Sequence, residues 1–84
     1  MALPKIAITV GDPAGIGPEI AEKAAADPSV REVCEPIIFA ATPRSPVVAG
    51  QASAVAGEAA FNTIVKAVDA AKRGEVDAIA TAPV

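Results

Sequence analysis

The sequence predicts an α/β fold in which a parallel sheet is built in β-α-β-α-β order. Three observations predict it. Lys5–Val10 is short, apolar and β-branched, as a buried strand is. Ile20–Ala26 follows at helical spacing, after the compact loop Gly11-Asp12-Pro13-Ala14-Gly15-Ile16-Gly17-Pro18-Glu19. Two more short apolar segments, near 36–40 and 77–81, flank a long helical pattern, and strands that alternate with helices make parallel sheets.

Taken in order, strand one covers about 5–10 and is apolar on both faces, as buried parallel strands are. The loop after it must turn strand into helix in very little space. Gly11, Gly15 and Gly17 offer positive φ or close backbone approach, while Pro13 and Pro18 fix φ. Pro18 suits the first helical turn, where a missing N–H costs nothing. Helix one covers about 17–27, with Ile20, Ala21, Ala24 and Ala25 as its apolar stripe and Glu19–Lys23 as an i,i+4 pair. Asp27-Pro28 ends it, and Ser29–Cys34 adds a turn. Strand two is Pro36–Ala40, and the β-α-β unit it closes is expected to be right-handed.

Residues 41–46 carry two prolines and read as a linker. Ser53 caps a helix over about 53–73, whose expected buried face is Phe61, Ile64, Val65, Val68 and Ala71. Glu58, Asn62, Lys66, Asp69 and Arg73 form its wet face, with Asp69 and Arg73 paired at i,i+4. Gly57 inside this helix costs about 0.5–1 kcal/mol relative to alanine, which suggests a packing or bending role. Gly74 is its C-terminal stop, and strand three is 77–81.

At 84 residues, only about 60–65% of the unfolded surface is buried on folding, so a lone domain is marginal. There is no Trp or Tyr and only two Phe, so few side chains bring the roughly 1.5–3 kcal/mol of a large buried group. The net charge of −3, with acids and bases interspersed, argues against nucleic acid or an anionic membrane as partner. The lone Cys34 excludes an internal disulfide and suits a reducing compartment, and no long apolar run marks a leader or a membrane span. A cytoplasmic protein is the expectation.

The parallel order puts Gly11–Gly17 and Thr81–Val84 at carboxyl ends of strands, on one rim of the sheet, where open α/β sheets bind ligands. The chain stops as strand three reaches that rim, so a loop that could complete a site is missing. The glycine spacing, G-x-x-x-G-x-G, is neither the dinucleotide fingerprint nor a Walker A loop, which disfavours a Rossmann-type nucleotide binder. Asp12 would repel a phosphate and fits better as acceptor for a hydroxyl, an amine or a metal-bound water. Turn and helix-end capping is the commoner account of Asp12 and Glu19, and turn geometry alone explains the glycines and prolines without a ligand. Thr81 either packs at a strand end or faces a ligand. With no histidine in the chain, His-based catalysis and His-ligated metals are excluded within it, and no Ser/His/Asp or Cys/His set can be assembled.

Ile8-Thr9-Val10-Gly11-Asp12-Pro13-Ala14-Gly15-Ile16-Gly17-Pro18-Glu19-Ile20 resembles the N-terminal motif of the 4-hydroxythreonine-4-phosphate dehydrogenase family of pyridoxal phosphate biosynthesis. Ala49–Gly57 together with Gly74–Val84 resembles a second block of that family. The resemblance covers about 4–41 and 46–84, joined by a shortened linker, and makes 1–84 a single partial α/β domain. Family members are several times longer, so the chain reads as an N-terminal remnant with an internal deletion, or a truncated reading frame.

The resemblance implies an isocitrate/isopropylmalate-dehydrogenase-like fold and a homodimer. It implies NAD- or NADP-dependent oxidation and decarboxylation of 4-phosphohydroxy-L-threonine or a related hydroxy acid phosphate, with a divalent metal (Zn, Mg or Co) as Lewis acid. Gly11, Asp12, Gly15, Gly17, Thr81 and Pro83 carry over as cleft lining, with Asp12 orienting substrate or ordered water. The family's lysine, its histidine-threonine motif and its three metal-binding histidines have no counterpart here. Alone, the chain is expected to be inactive. The competing reading is a small non-catalytic module that binds a ligand or partner through its glycine loop or open sheet edges.

Overall fold

The computed structural model describes residues 2–41, 43, 48–51 and 53–82. Three strands, β1 (Lys5–Thr9), β2 (Glu35–Phe39) and β3 (Ala78–Thr81), form one parallel sheet in the order β2-β1-β3. The parallel alternation expected from the sequence is present, and β1 is the central strand. Lys5 lies opposite Glu35 and Thr9 opposite Phe39; on the other side Ile6 lies opposite Ala78 and Thr9 opposite Thr81.

Helix α1 (Gly17–Ala26) lies on the face that carries Ile8 and Ala80, while α3 (Ala54–Lys72) lies on the opposite face, against Ala7 and Ile79. The first crossover steps from β1 to β2 and the second steps back past β1 to β3. Opposite steps over opposite faces give the two crossovers the same hand, which fits the right-handed rule.

Between α1 and β2 the chain forms a six-residue helix, α2 (Pro28–Val33), in place of a single added turn. Asp27-Pro28 both ends one helix and starts the next. The Asp27 carboxylate accepts from the Ser29 N–H at 2.8 Å, and Pro28 occupies the first helical turn, where its missing N–H is harmless. Ser53 caps α3 as expected, accepting from the Ala56 N–H at 3.0 Å. Gly74, with φ of +75°, stops it. The Glu19–Lys23 pair forms at 3.3 Å on the exposed side of α1.

Three expectations need correction. First, the buried face of α3 is Ala56, Ala59, Ala60, Thr63, Ala67 and Ala70. Phe61, Val65 and Val68, expected inside, are exposed, and Ile64 and Ala71 are half-buried. The smallest side chains let the helix lie closest to the sheet, so packing selects alanine over bulk here. Second, Arg73 turns its guanidinium to Glu75 and not to Asp69. The hydrogen bond and charge of Glu75 raise its pKa above the ordinary value, and Asp69 adds a smaller push in the same direction. Third, a Cβ at Gly57 would meet nothing within 4 Å, so no packing contact requires glycine there.

The core is correspondingly thin. Ala7, Ala67, Ala70 and Val76 are buried, with Ile37, Phe39, Ala71 and Ile79 packed around them. Thr9 is the largest side chain that is fully buried among the described residues. Its Oγ1 has no hydrogen-bond partner there, whereas the buried Thr63 hydroxyl donates to the Ala59 carbonyl at 2.8 Å.

Candidate functional site

The loop that follows β1 is held by its own backbone. Gly11 takes φ of +72°, a left-handed turn that glycine adopts without steric cost, and directs the chain off the strand. The Asp12 carbonyl accepts from the Gly15 N–H at 3.0 Å, and Asp12 Oδ1 accepts from the Ala14 N–H at 2.8 Å. This is a side-chain-closed Asx turn. The buried Ala14 anchors it, and the Ala14 carbonyl accepts from the Gly50 N–H at 2.7 Å, tying the loop to residues 48–51.

Gly17 is where the loop meets the rest of the rim. A Cβ there would fall 1.6 Å from the Val10 carbonyl oxygen and 3.2 Å from the Ala82 side chain. Backbone approaches backbone at this point, and only hydrogen fits between. From the other side, the Ala82 N–H donates to the Thr9 carbonyl at 2.9 Å, which carries the β1–β3 ladder one residue past the strand. The turn after β1 and the exit of β3 therefore touch.

This junction is also where strand order reverses. The chain leaves β1 toward β2 and returns on the far side of β1 as β3, so the rim between β1 and β3 is the switch point at which open α/β sheets take ligands. Beside it lies an open groove of about 280 Å³ lined by Ile8, Ile20, Ala21, Ala24, Ala80, Thr81 and Ala82. Its walls are almost wholly apolar. Ile8, Ile20, Ala21, Ala24, Ala80 and Ala82 were not anticipated as site residues. The signal for them was the pair of short alanine spacings at 21/24 and 80/82, on two elements that the topology brings together.

Of the residues expected to line a cleft, Gly11, Asp12, Gly17 and Thr81 come together at this rim, with Thr81 exposed at the groove's edge. Gly15 sits in the same loop, exposed. A Cβ added to it would make only a 3.4 Å contact with the Asp12 carbonyl oxygen, and its φ is not positive. Turn geometry thus accounts for Gly11 and Gly17 but does not require glycine at 15. Pro83 lies outside the described residues. Glu19 is taken up by its surface pair with Lys23 and does not enter the groove.

Comparison with known proteins gives this loop a context. The family model described as "Pyridoxal phosphate biosynthetic protein PdxA" matches residues 6–84. The chain belongs to the PdxA family. It is 31% identical to a 4-hydroxythreonine-4-phosphate dehydrogenase of Synechocystis, covering 100% of this chain and 34% of that protein. It is 35% identical to a protein of Symbiobacterium thermophilum provisionally named D-threonate 4-phosphate dehydrogenase, covering 96% of this chain and 36% of the relative. Among solved structures, a 4-hydroxythreonine-4-phosphate dehydrogenase from Burkholderia phymatum superposes with a TM-score of 0.82 at 28% identity, over 96% of this chain and 36% of that one.

The chain thus spans about a third of the length of these PdxA relatives. The Symbiobacterium alignment runs over 121 positions, yet 96% of 84 residues is about 81, so about 40 positions of that relative have no residue opposite them here. The relatives are named as dehydrogenases, so this PdxA chain is of an enzyme family, an oxidoreductase one. Among the described residues no helix is long and apolar enough to cross a membrane, and no three His, Cys, Asp or Glu cluster to hold a metal ion.

Proposed function

We propose that this chain supplies one wall of the active cleft of a PdxA-type dehydrogenase, and that the reaction is the NAD- or NADP-dependent oxidation and decarboxylation of 4-phosphohydroxy-L-threonine or a related hydroxy acid phosphate. One observation carries the reading: the glycine loop and the end of β3 meet at Gly17 and Ala82, on the rim where strand order reverses. The glycine at 15, which the turn does not need, supports close approach of a ligand to the loop. Both relatives' names describe a 4-phosphorylated substrate, which keeps the substrate class narrow.

In this role the loop backbone positions substrate. Asp12 spends Oδ1 on the Ala14 N–H and keeps Oδ2 as acceptor for a substrate hydroxyl or an ordered water. The open apolar groove beside the loop offers a surface for the non-polar part of a ligand. A divalent metal does not fit the residues present, since the chain has no histidine and no acidic cluster among the described residues. The dinucleotide does not fit them either, because the glycine spacing lacks the fingerprint. No catalytic step is assigned to this chain alone, and it is expected to be inactive by itself. The reading further includes an isocitrate/isopropylmalate-dehydrogenase-like whole fold, a homodimer and a cytoplasmic setting. The roughly 40 unmatched positions support an internally shortened, partial domain with blocks 4–41 and 46–84.

The test has two arms. An NAD(P)H absorbance assay with 4-phosphohydroxy-L-threonine and a divalent metal is expected to show no turnover by the 84-residue chain; clear turnover overturns the inactivity. Residues 4–20 are then exchanged into the Burkholderia enzyme. A folded chimera that keeps its activity supports the cleft role, and a folded but dead one refutes it.

A second reading, a non-catalytic binding module, draws on the exposed apolar ridge of α3 and the open edges of β2 and β3. A compact, soluble monomer with a cooperative melt, together with a 4–20 chimera that folds but is inactive, would favour it.

A further inference from the structure

The turn at Val48–Gln51 buries nothing. All four of its residues are exposed, and a Cβ on Gly50 would meet nothing within 4 Å. The turn closes on itself, with the Gln51 N–H donating to the Val48 carbonyl at 3.1 Å. Among the described residues, its one hydrogen bond to the rest of the chain runs from the Gly50 N–H to the Ala14 carbonyl, at 2.7 Å. Neither packing nor the link from β2 to α3 requires that bond.

The backbone of Gly50 decides where its N–H points. Gly50 is the third residue of the turn and takes φ of +80°, while Ala49 before it does not take positive φ. That combination is a type II turn. Types I and II close with the same first-to-fourth hydrogen bond but differ by a flip of the central peptide, here Ala49–Gly50. In type II the N–H of this peptide faces Ala14. In type I the flip turns the N–H away and sets the Ala49 carbonyl toward the Ala14 carbonyl. Glycine takes positive φ freely, and asparagine tolerates it better than other residues do.

The far end of the bond is a peptide held at both of its polar groups. The Ala14 carbonyl accepts from Gly50, and the Gly15 N–H of the same peptide donates to the Asp12 carbonyl at 3.0 Å. The plane of the Ala14–Gly15 peptide is thereby fixed, beside the Asp12 carboxylate and the exposed Gly15.

We propose that Gly50 is a positioning residue for the glycine loop. Its left-handed backbone aims its N–H at Ala14 and holds the Ala14–Gly15 peptide in the orientation that receives substrate. The coupling of turn to loop stands on the hydrogen bonds alone, and its use in substrate binding rests on the cleft reading above.

The test begins with amide exchange on the 84-residue chain, followed by NMR. Gly50→Val disfavours positive φ, meets open space at its Cβ, and is expected to speed exchange of the Gly15 N–H about 10-fold with unchanged circular dichroism. Gly50→Asn is expected to stay within about 2-fold of the parent. Gly50→Ala, a milder change of the same kind, takes the place of Gly50→Val if that variant does not fold. A Gly15 exchange rate that the loss of glycine leaves unchanged overturns the proposal, and so does Gly50→Asn acting as strongly as Gly50→Val. The second arm is a chimera with residues 4–20 and 48–51 placed in the Burkholderia enzyme. There Gly50→Val is expected to raise KM for 4-phosphohydroxy-L-threonine roughly 5-fold with kcat within about 2-fold, and Gly50→Asn to restore the parent KM. An unchanged KM in an active chimera overturns the positioning role. A chimera that folds but is inactive before any change at 50 refutes the cleft reading instead, and the exchange rates then decide the coupling by themselves.

Discussion

Gly17 and Val10 are in backbone contact: a Cβ on Gly17 would sit 1.6 Å from the Val10 carbonyl oxygen, with Ala82 closing the space from β3. No rotamer can relieve such an overlap, since both atoms are fixed to the main chain. Gly17→Ala is therefore expected to cost about 3 kcal/mol or more, at the upper end of overpacking penalties. In so small a core that loss unfolds the chain. Urea denaturation followed by circular dichroism measures it, and a variant within about 1 kcal/mol of the parent would contradict the contact.

Gly57 gives the opposite expectation from the same residue type. It lies inside α3, and an added Cβ meets open space. Gly57→Ala removes backbone freedom from the unfolded chain and is expected to stabilise by about 0.5–1 kcal/mol. The readout is a higher urea midpoint with unchanged slope.

How far the sequence reveals the molecule differs between these two helices. The approach of Gly17 to the β3 rim follows from local facts: a β-branched strand, glycines, a proline fit for a helix start, and strands that alternate with helices. The inner face of α3 does not. Sequence ranks side chains by size and sends Phe61, Val65 and Val68 inward. The sheet presents Ala7 and Thr9 to α3, and a flat surface of small groups is best met by alanines such as Ala67 and Ala70. That preference belongs to the partner surface and is invisible in the helix alone. The second role of Asp27-Pro28 is similar: the pair that ends α1 also has the residue types that start α2.

Thr9 carries the next prediction. Its hydroxyl is fully buried beside the switch point with no partner among the described residues, so it has lost water and gained nothing. Thr9→Val keeps the shape and removes the unpaired group, and is expected to stabilise by about 1 kcal/mol. Thr63 is the control. Its hydroxyl is bonded to the Ala59 carbonyl, so Thr63→Val removes a made bond and is expected to yield no such gain. Chemical denaturation of the two variants separates the cases; equal effects would mean that the Thr9 hydroxyl does have a partner.

Asp12 allows turn chemistry and ligand chemistry to be told apart. Its Oδ1 closes the loop on the Ala14 N–H, and this bond needs an acceptor oxygen but no charge. Asp12→Asn retains the oxygen and is expected to change stability by less than about 0.5 kcal/mol, whereas Asp12→Ala opens the turn and costs about 1 kcal/mol. A substrate hydroxyl, by contrast, bonds more strongly to a carboxylate than to an amide. Placed in the chimera that carries residues 4–20 in the Burkholderia enzyme, Asp12→Asn is expected to lower kcat/KM by roughly 10-fold or more while the melting curve stays in place. A chimera in which Asn serves as well as Asp would reduce Asp12 to a residue that shapes the loop, and would leave the backbone of Gly11–Gly17 as the part that meets the substrate.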